Sequence, residues 1–316
     1  MPAIEEFAPI QHALAELRLG APQAHRNLAF FPLVARAGLG AVGKAGYLLL
    51  EEALERRLAR VTEVSAAGSV PELAFENTSA EKILLVDGDE LVGAKQNRII
   101  NISILVGGGK RIPIPVSCVE QGRWSYRSRD FGSAGRALFA KARAKKMGRV
   151  SESLRTSGTR HSNQGEVWAD IAEKTARFCV DSATGAMEDT YRSRREPLDA
   201  YARAFRAEPG QRGAVAAIDG KVVGLELFDS AATFAKYLDK LVKSYALDAL
   251  ETANGKHLAP PAAEVERFLA RLQSAAAERF AALGEGEDVR LTGKGVAGGA
   301  LVEGERVVHL AGFRIP

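Results

Sequence analysis

The sequence predicts an α+β fold: a β-sandwich-like antiparallel layer with β-hairpins and packed amphipathic helices. Between Val70 and Val119, five apolar runs follow one another with only turn residues between them: Glu72–Glu76, Lys82–Val86, Glu90–Ala94, Arg98–Val106 and Arg111–Val119. Acidic-Gly pairs stand between apolar runs at Asp87-Gly88, Asp219-Gly220 and Glu303-Gly304, and a two-residue hairpin turn calls for such residues because it needs φ > 0. Later segments switch to helical spacing, with Phe234, Leu238, Leu241 and Tyr245 on one face. After Pro260-Pro261 a second such face carries Val265, Phe268, Leu272 and Leu283.

In order along the chain, Ile10, Ala13, Leu14 and Leu17 predict a short first helix. Leu28–Ala35 reads as a strand, a Gly-rich loop follows, and a helix is expected from Leu49 to Leu58. Gly107-Gly108-Gly109 makes a tight connection inside the β-rich stretch. Ser133–Lys146 has helical character, whereas Gly148 to Ser162 reads as a mobile loop. Asn163 followed by Glu166 resembles a capping box, opening a helix expected to bury Val167, Trp168, Ile171, Phe178 and Cys179. A shorter helix follows Pro197, then a hairpin of Ala214–Ile218 with Lys221–Phe228, and a last one of Gly299–Val302 with Arg306–Ala311. The expected organisation is a single α+β domain over residues 1–316. Within it, 28–125 is β-rich and 126–316 is mostly helical with two hairpins.

Composition bounds the function. The 316 residues, 46% of them hydrophobic, suffice for a sizeable core without disulfides. Two cysteines, Cys118 and Cys179, spell out neither a disulfide framework nor a zinc cluster. The first residues are acidic where a secretory signal is basic, and no apolar run approaches the length of a membrane span. A cytoplasmic protein without a membrane partner is therefore expected. The net charge of +4 suits an anionic ligand but does not by itself predict nucleic-acid binding.

Gly38-Leu39-Gly40-Ala41-Val42-Gly43 has the spacing of the dinucleotide fingerprint, with Glu63 about 20 residues on. Pro32 interrupts the preceding strand, however, and the next five strands come without intervening helices. A doubly wound sheet does not tolerate that, so a flexible loop is the better account.

The densest polar cluster runs from Asp87 to Arg98 and extends to Asn101. Asp87, Asp89 and Glu90 have the chemistry of general acids or bases or of ligands to a divalent cation. Lys95 and Arg98 suit phosphate, and Gln96, Asn97 and Asn101 suit polar edges. The plain alternative is a turn followed by a solvated strand edge. At the exit of the next strand, Glu120, Arg123 and Trp124 are placed to touch a ligand, with Trp124 able to stack on a base. Cys118, in register with Ile112, Ile114 and Val116, reads as a core thiol rather than a nucleophile, because no histidine lies near it in sequence. Gln164 and Trp168 complete the candidate ligand-binding set, with Trp168 also able to stack, and the N-terminus of the helix after the His161 loop offers free N–H groups to an anion. The five histidines form no ligand-spaced pair; His161 alone has polar, helix-opening company. Between Arg123 and Arg160, eleven Lys/Arg face two acids, a strip that suits phosphate or RNA, or serves as a solvated face.

The runs Leu85–Arg98 and Ile114–Trp124 resemble the ARG- and rhodanese-phosphatase-superfamily-associated protein domain. Similar stretches continue at Gln164–Trp168, Val223–Asp229 and Ser244–Leu250. That family is named for its association with ADP-ribosylglycohydrolases and rhodanese/phosphatase-like proteins. The resemblance implies a role near ADP-ribose, NAD or phosphorylated-nucleotide metabolism, and brings no catalytic mechanism with it. Together these readings predict a cytosolic enzyme or sensor acting on an ADP-ribose/NAD-like or other phosphorylated nucleotide ligand, a phosphorylated small molecule. The alternatives are a non-catalytic protein-interaction module, or an RNA-binding protein using the 123–160 segment.

Overall fold

The computed structural model describes residues 7–36, 45–252 and 259–315. The Gly38–Gly43 motif and His257 lie outside the described residues. The elements begin with α1 (Ala8–Ala15), β1 (Leu17–Leu19), β2 (Gln23–His25), β3 (Leu28–Ala35), β4 (Tyr47–Leu49) and α2 (Leu50–Glu55). Next come β5 (Ala59–Glu63), β6 (Glu72–Asn77), β7 (Lys82–Leu85), β8 (Asp89–Gly93), β9 (Arg98–Ile100) and β10 (Ile104–Val106). The middle holds β11 (Arg111–Cys118), β12 (Phe131–Ala137), α3 (Ala140–Ser157), α4 (Gln164–Arg177), α5 (Met187–Ser193) and α6 (Arg195–Ala204). The last part holds β13 (Gln211–Ile218), β14 (Lys221–Phe228), α7 (Ala231–Ala249) and α8 (Ala262–Gln273). The chain finishes with β15 (Ala276–Ala281), β16 (Glu287–Gly293), β17 (Val296–Glu303) and β18 (Arg306–Arg314). The class is α+β, dominated by large antiparallel sheets.

The chain divides into two compact units. The discontinuous unit comprises Met1–Ala45, Asp199–Ala282 and Gly286–Pro316. Its nine-stranded sheet runs β1-β3-β13-β14-β18-β17-β16-β15, with β2 also on β3. Seven of the eight residues of β3 are buried, because this strand has cover on both faces. Ala29, Phe31 and Leu33 join Val265, Phe268 and Leu272 of α8 in one core, while Phe30 meets Tyr245 of α7 edge-on at 5.7 Å. Pro32 is tolerated in β3 because its nitrogen, which has no hydrogen to donate, faces the gap between β1 and β2, where Gly20 N–H donates to the Pro32 carbonyl at 2.8 Å. The Asp219-Gly220 turn forms as expected, with φ of 50° and 74° and Ile218 opposite Lys221.

The central unit, Gly46–Leu198 with Leu283–Glu285, contains two sheets. Six strands run β12-β8-β9-β11-β6-β5, all antiparallel, and three run β10-β7-β4, with β4 parallel to β7. The expected strand Arg98–Val106 is therefore two strands in two sheets, broken at Asn101-Ile102-Ser103. Asp87-Gly88 likewise turns the chain between sheets instead of closing a hairpin, since β7 and β8 do not pair. In both places polar groups secure the switch: Asp87 N–H donates to Ser103 Oγ at 3.0 Å, and Ser117 Oγ donates to Asn101 Oδ1 at 2.7 Å.

Other expectations are corrected by long-range packing. The helix expected to end before Gly148 continues to Ser157, because Met147, Val150, Ser151 and Leu154 are buried while Gly148 lies on the solvent side. The glycine that stops it is Gly158, at φ 68°. Residues 131–137 form strand β12 against β8. Helix α8 ends at Gln273, and 276–281 pairs with β16 despite its alanines, leaving Leu283 exposed outside any helix. Cys179 is exposed at φ 51°, beyond the end of α4. The Asn163 cap holds: its side chain accepts from Glu166 N–H at 3.2 Å.

Candidate functional site: a buried polar chain beside an arginine-lined cleft

All of the polar residues singled out from the sequence fall in the central unit, but they do not share one cavity. Asp87 faces helix α3, where Lys146 forms a buried ion pair with it. Lys146 also donates to the Asn101 carbonyl at 2.8 Å, so its donors are spent on the strand switch. Gly88, at φ 89°, admits the Arg143 side chain close to its backbone: a Cβ there would stand 2.9 Å from Arg143 Nε. Asp89 is buried opposite Ala137 of β12. Asn101 donates through Nδ2 to the Arg160 carbonyl at 3.1 Å.

Glu90 lies on the opposite face of β8, wholly buried, and pairs with Arg136 Nε. Burial pushes its carboxyl up to about 7, although the Arg136 charge and hydrogen bond pull it down. Arg136 Nη2 is 3.4 Å from Glu188 Oε1, and Asn97 Nδ2 donates to Glu188 Oε2 at 3.3 Å. Arg123 Nη2 donates to Asn97 Oδ1 at 3.2 Å and to Glu120 Oε2 at 2.6 Å. Glu90, Arg136, Glu188, Asn97, Arg123 and Glu120 thus form a continuous chain of alternating charge. Burial works against the Glu120 anion, but hydrogen bonds from Arg123 and the Asn97 N–H outweigh it and hold its pKa below the usual range.

The third group surrounds Cys118, whose cross-strand partner is Arg98. Gln96 Oε1 accepts from Arg98 Nη1 at 3.0 Å and from the Cys118 thiol at 3.1 Å. Gln164 clamps the Cys118 backbone: its Oε1 accepts from the N–H and its Nε2 donates to the carbonyl, each at 2.8 Å. Burial pushes the Cys118 thiol up, partly offset by the Arg98 charge. Lys95 Nζ donates to the Ala66 and Ala67 carbonyls at 2.8 and 2.6 Å and stands 5.2 Å from the rings of both Trp124 and Tyr126.

Next to these aromatics opens a cleft of about 740 Å³, lined by Arg60, Arg111, Arg127 and Arg129 together with Glu63 and Tyr126. Sheet register brings two of the arginines together: Arg60 and Arg111 both stand opposite Glu76, one on each neighbouring strand. Arg60 is bound by Asp130 at 2.9 Å, and Arg127 lies 3.8 Å from Glu120, joining the cleft wall to the buried chain. Arg111 and Arg129 are exposed and carry no ion pair among the described residues. Among the described residues, four of the five exposed large apolar side chains, Val64, Val70, Trp124 and Tyr126, come from the two segments beside it. Gly68, at φ 78°, lets Glu63, Lys95 and Trp124 converge, each 3.3 Å from where a Cβ would be.

Arg60, Arg111 and Glu188 gave no signal in the sequence, being single charges on a strand or a short helix. Arg127, Arg129, Arg136 and Lys146 fell inside the basic strip without distinction. Among the described residues no three His, Cys, Asp or Glu side chains gather as a metal site, and no helix is long and apolar enough to cross a membrane. No curated protein and no solved structure matches the chain. Residues 16–313 match the ARG and Rhodanese-Phosphatase-superfamily-associated Protein domain, and the chain belongs to that family.

Proposed function

We propose that this protein binds a phosphorylated, nucleotide-like ligand of ADP-ribose or NAD character in the arginine-lined cleft of its central unit. The observation that carries the reading is the pair Arg111 and Arg129, guanidinia without an ion pair among the described residues, in a cleft beside the exposed rings of Trp124 and Tyr126. Guanidinium forks match phosphate oxygens, and the rings offer stacking faces to a base. The volume is that of a small-molecule site. The family name, which links the domain to phosphatase-superfamily proteins, is compatible with this chemistry.

The buried chain supplies the candidate acid and base. Glu90, with its pKa near 7, is poised to hold or release a proton at neutral pH, while Glu120 stays ionised and touches the cleft through Arg127. Lys95 and Arg123 position the loop by binding backbone carbonyls. The basic strip is a weaker basis for RNA binding, since Arg143 and Lys146 are buried.

Calorimetric titration with ADP-ribose, NAD, mononucleotides and a short RNA, with and without magnesium, tests the reading. Saturable nucleotide binding that is lost in Arg111→Glu/Arg129→Glu is expected. If no nucleotide binds and the double variant behaves as wild type, the cleft is not a nucleotide site and a protein partner becomes the better hypothesis.

A further inference from the structure

Arg98 is wholly buried, yet it has no carboxylate within ion-pair distance among the described residues. Its Nη1 is committed to Gln96 Oε1 and the Asn97 carbonyl, while Nε and Nη2 have no hydrogen-bond partner among the described residues. Those two N–H groups form one edge of the guanidinium and point in parallel, the side-on fork that holds two oxygens of one oxyanion. A second under-used donor lies nearby: the buried indole Nε1 of Trp168 has no oxygen or nitrogen acceptor among the described residues and faces only the Cys118 sulfur, a weak acceptor. Cys118 is the cross-strand neighbour of Arg98, so the open Arg98 edge and the Trp168 indole both belong to the surroundings of one thiol. A guanidinium stays charged at any physiological pH, and a buried charge without a counter-ion is strongly disfavoured.

We infer that the Arg98 Nε/Nη2 edge, with Trp168 Nε1, is an internal site for a phosphoryl oxyanion, entered beneath Trp124. The Trp124 ring lies 5.6 Å from the Arg98 guanidinium carbon, is nearly half exposed and is carried by an irregular loop. Access by this route requires the exposed Trp124 side chain to swing. A tetrahedral phosphoryl group suits the site better than a carboxylate, because it offers oxygens to Trp168 after filling both Arg98 donors. The site shares no residue with the lining of the arginine cleft and does not depend on the cleft taking a nucleotide.

The test is a titration of the full chain with inorganic phosphate at constant ionic strength, following the Arg Nε–H and Trp Nε1–H signals by ¹H–¹⁵N NMR. Arg98→Lys assigns the Arg98 signal and Trp168→Phe the indole. Saturable, joint movement of the Arg98 and Trp168 signals is expected, with acetate at equal concentration moving them far less. Arg98→Lys keeps the charge without the fork, and should weaken phosphate about tenfold or more. Arg111→Glu/Arg129→Glu should leave the response intact, which separates this site from the cleft. Should the two wild-type signals stay still, or follow chloride as they follow phosphate, the inference is overturned. Triple-resonance assignment of the wild-type chain identifies both signals should a variant fail to fold.

Discussion

Arg136 and Glu90 form an ion pair in which the carboxylate is entirely buried and its second oxygen, Oε1, has no hydrogen-bond partner among the described residues. One guanidinium therefore offsets only part of the desolvation, which is why the carboxyl is pushed up to about 7 from 4.5. Between those two values the folded protein holds a proton that the unfolded chain has released. Its contribution to stability is therefore largest at low pH and falls as pH rises through this window, by on the order of 2–3 kcal/mol. Glu90→Gln should flatten that fall. Urea unfolding at pH 5 and pH 8 measures it, and an unchanged pH slope in the variant would falsify the assignment.

Lys146 and Asp87 are joined across 59 residues of sequence, both buried. Removing one partner of such a pair leaves an uncompensated charge, at a cost of about 3–5 kcal/mol. Lys146→Met should therefore unfold at markedly lower denaturant, and Asp87→Asn combined with it should recover part of the loss. A double-mutant cycle by chemical denaturation decides, and additive losses would show that the two groups are not coupled.

Gln164 serves the Cys118 peptide as a neighbouring strand would, donating and accepting at 2.8 Å. Gln164→Ala strands a buried donor and a buried acceptor, so a loss of about 1–3 kcal/mol is expected. Hydrogen exchange at the Cys118 amide should quicken by the same mechanism. Exchange as slow as in the wild type would mean that another group takes over the bond.

The cleft arginines predict the opposite pattern. Arg111 and Arg129 are exposed and carry no ion pair among the described residues, so Arg111→Glu and Arg129→Glu should each change stability by no more than about 0.5 kcal/mol. Nucleotide affinity should nonetheless fall, together with its salt dependence. Calorimetry at two salt concentrations, alongside thermal melting, checks both halves. Unfolding of the variants would show these residues to be structural.

The features determined by sequence alone are those governed by neighbouring residues. Leu28–Ala35 could be read as a strand, Asp219-Gly220 as a hairpin turn and Asn163 as a helix cap. In each, β-periodicity, the demand for positive φ or an unfilled N–H is settled within a few residues. The family likeness was legible for a similar reason, since its motifs are continuous runs. Only the tertiary structure decided that Arg98–Val106 breaks at Asn101, that 276–281 is a strand, and that α3 continues past Gly148. Burial by distant segments outweighed local preference at each of these places. The candidate site belongs to the same category: Arg60 and Arg111 meet through Glu76, and Glu90 finds Arg136, by strand register and chain crossing. A charge in a sequence carries no record of which distant charge it will face, because pairing is set by which surfaces exclude water together.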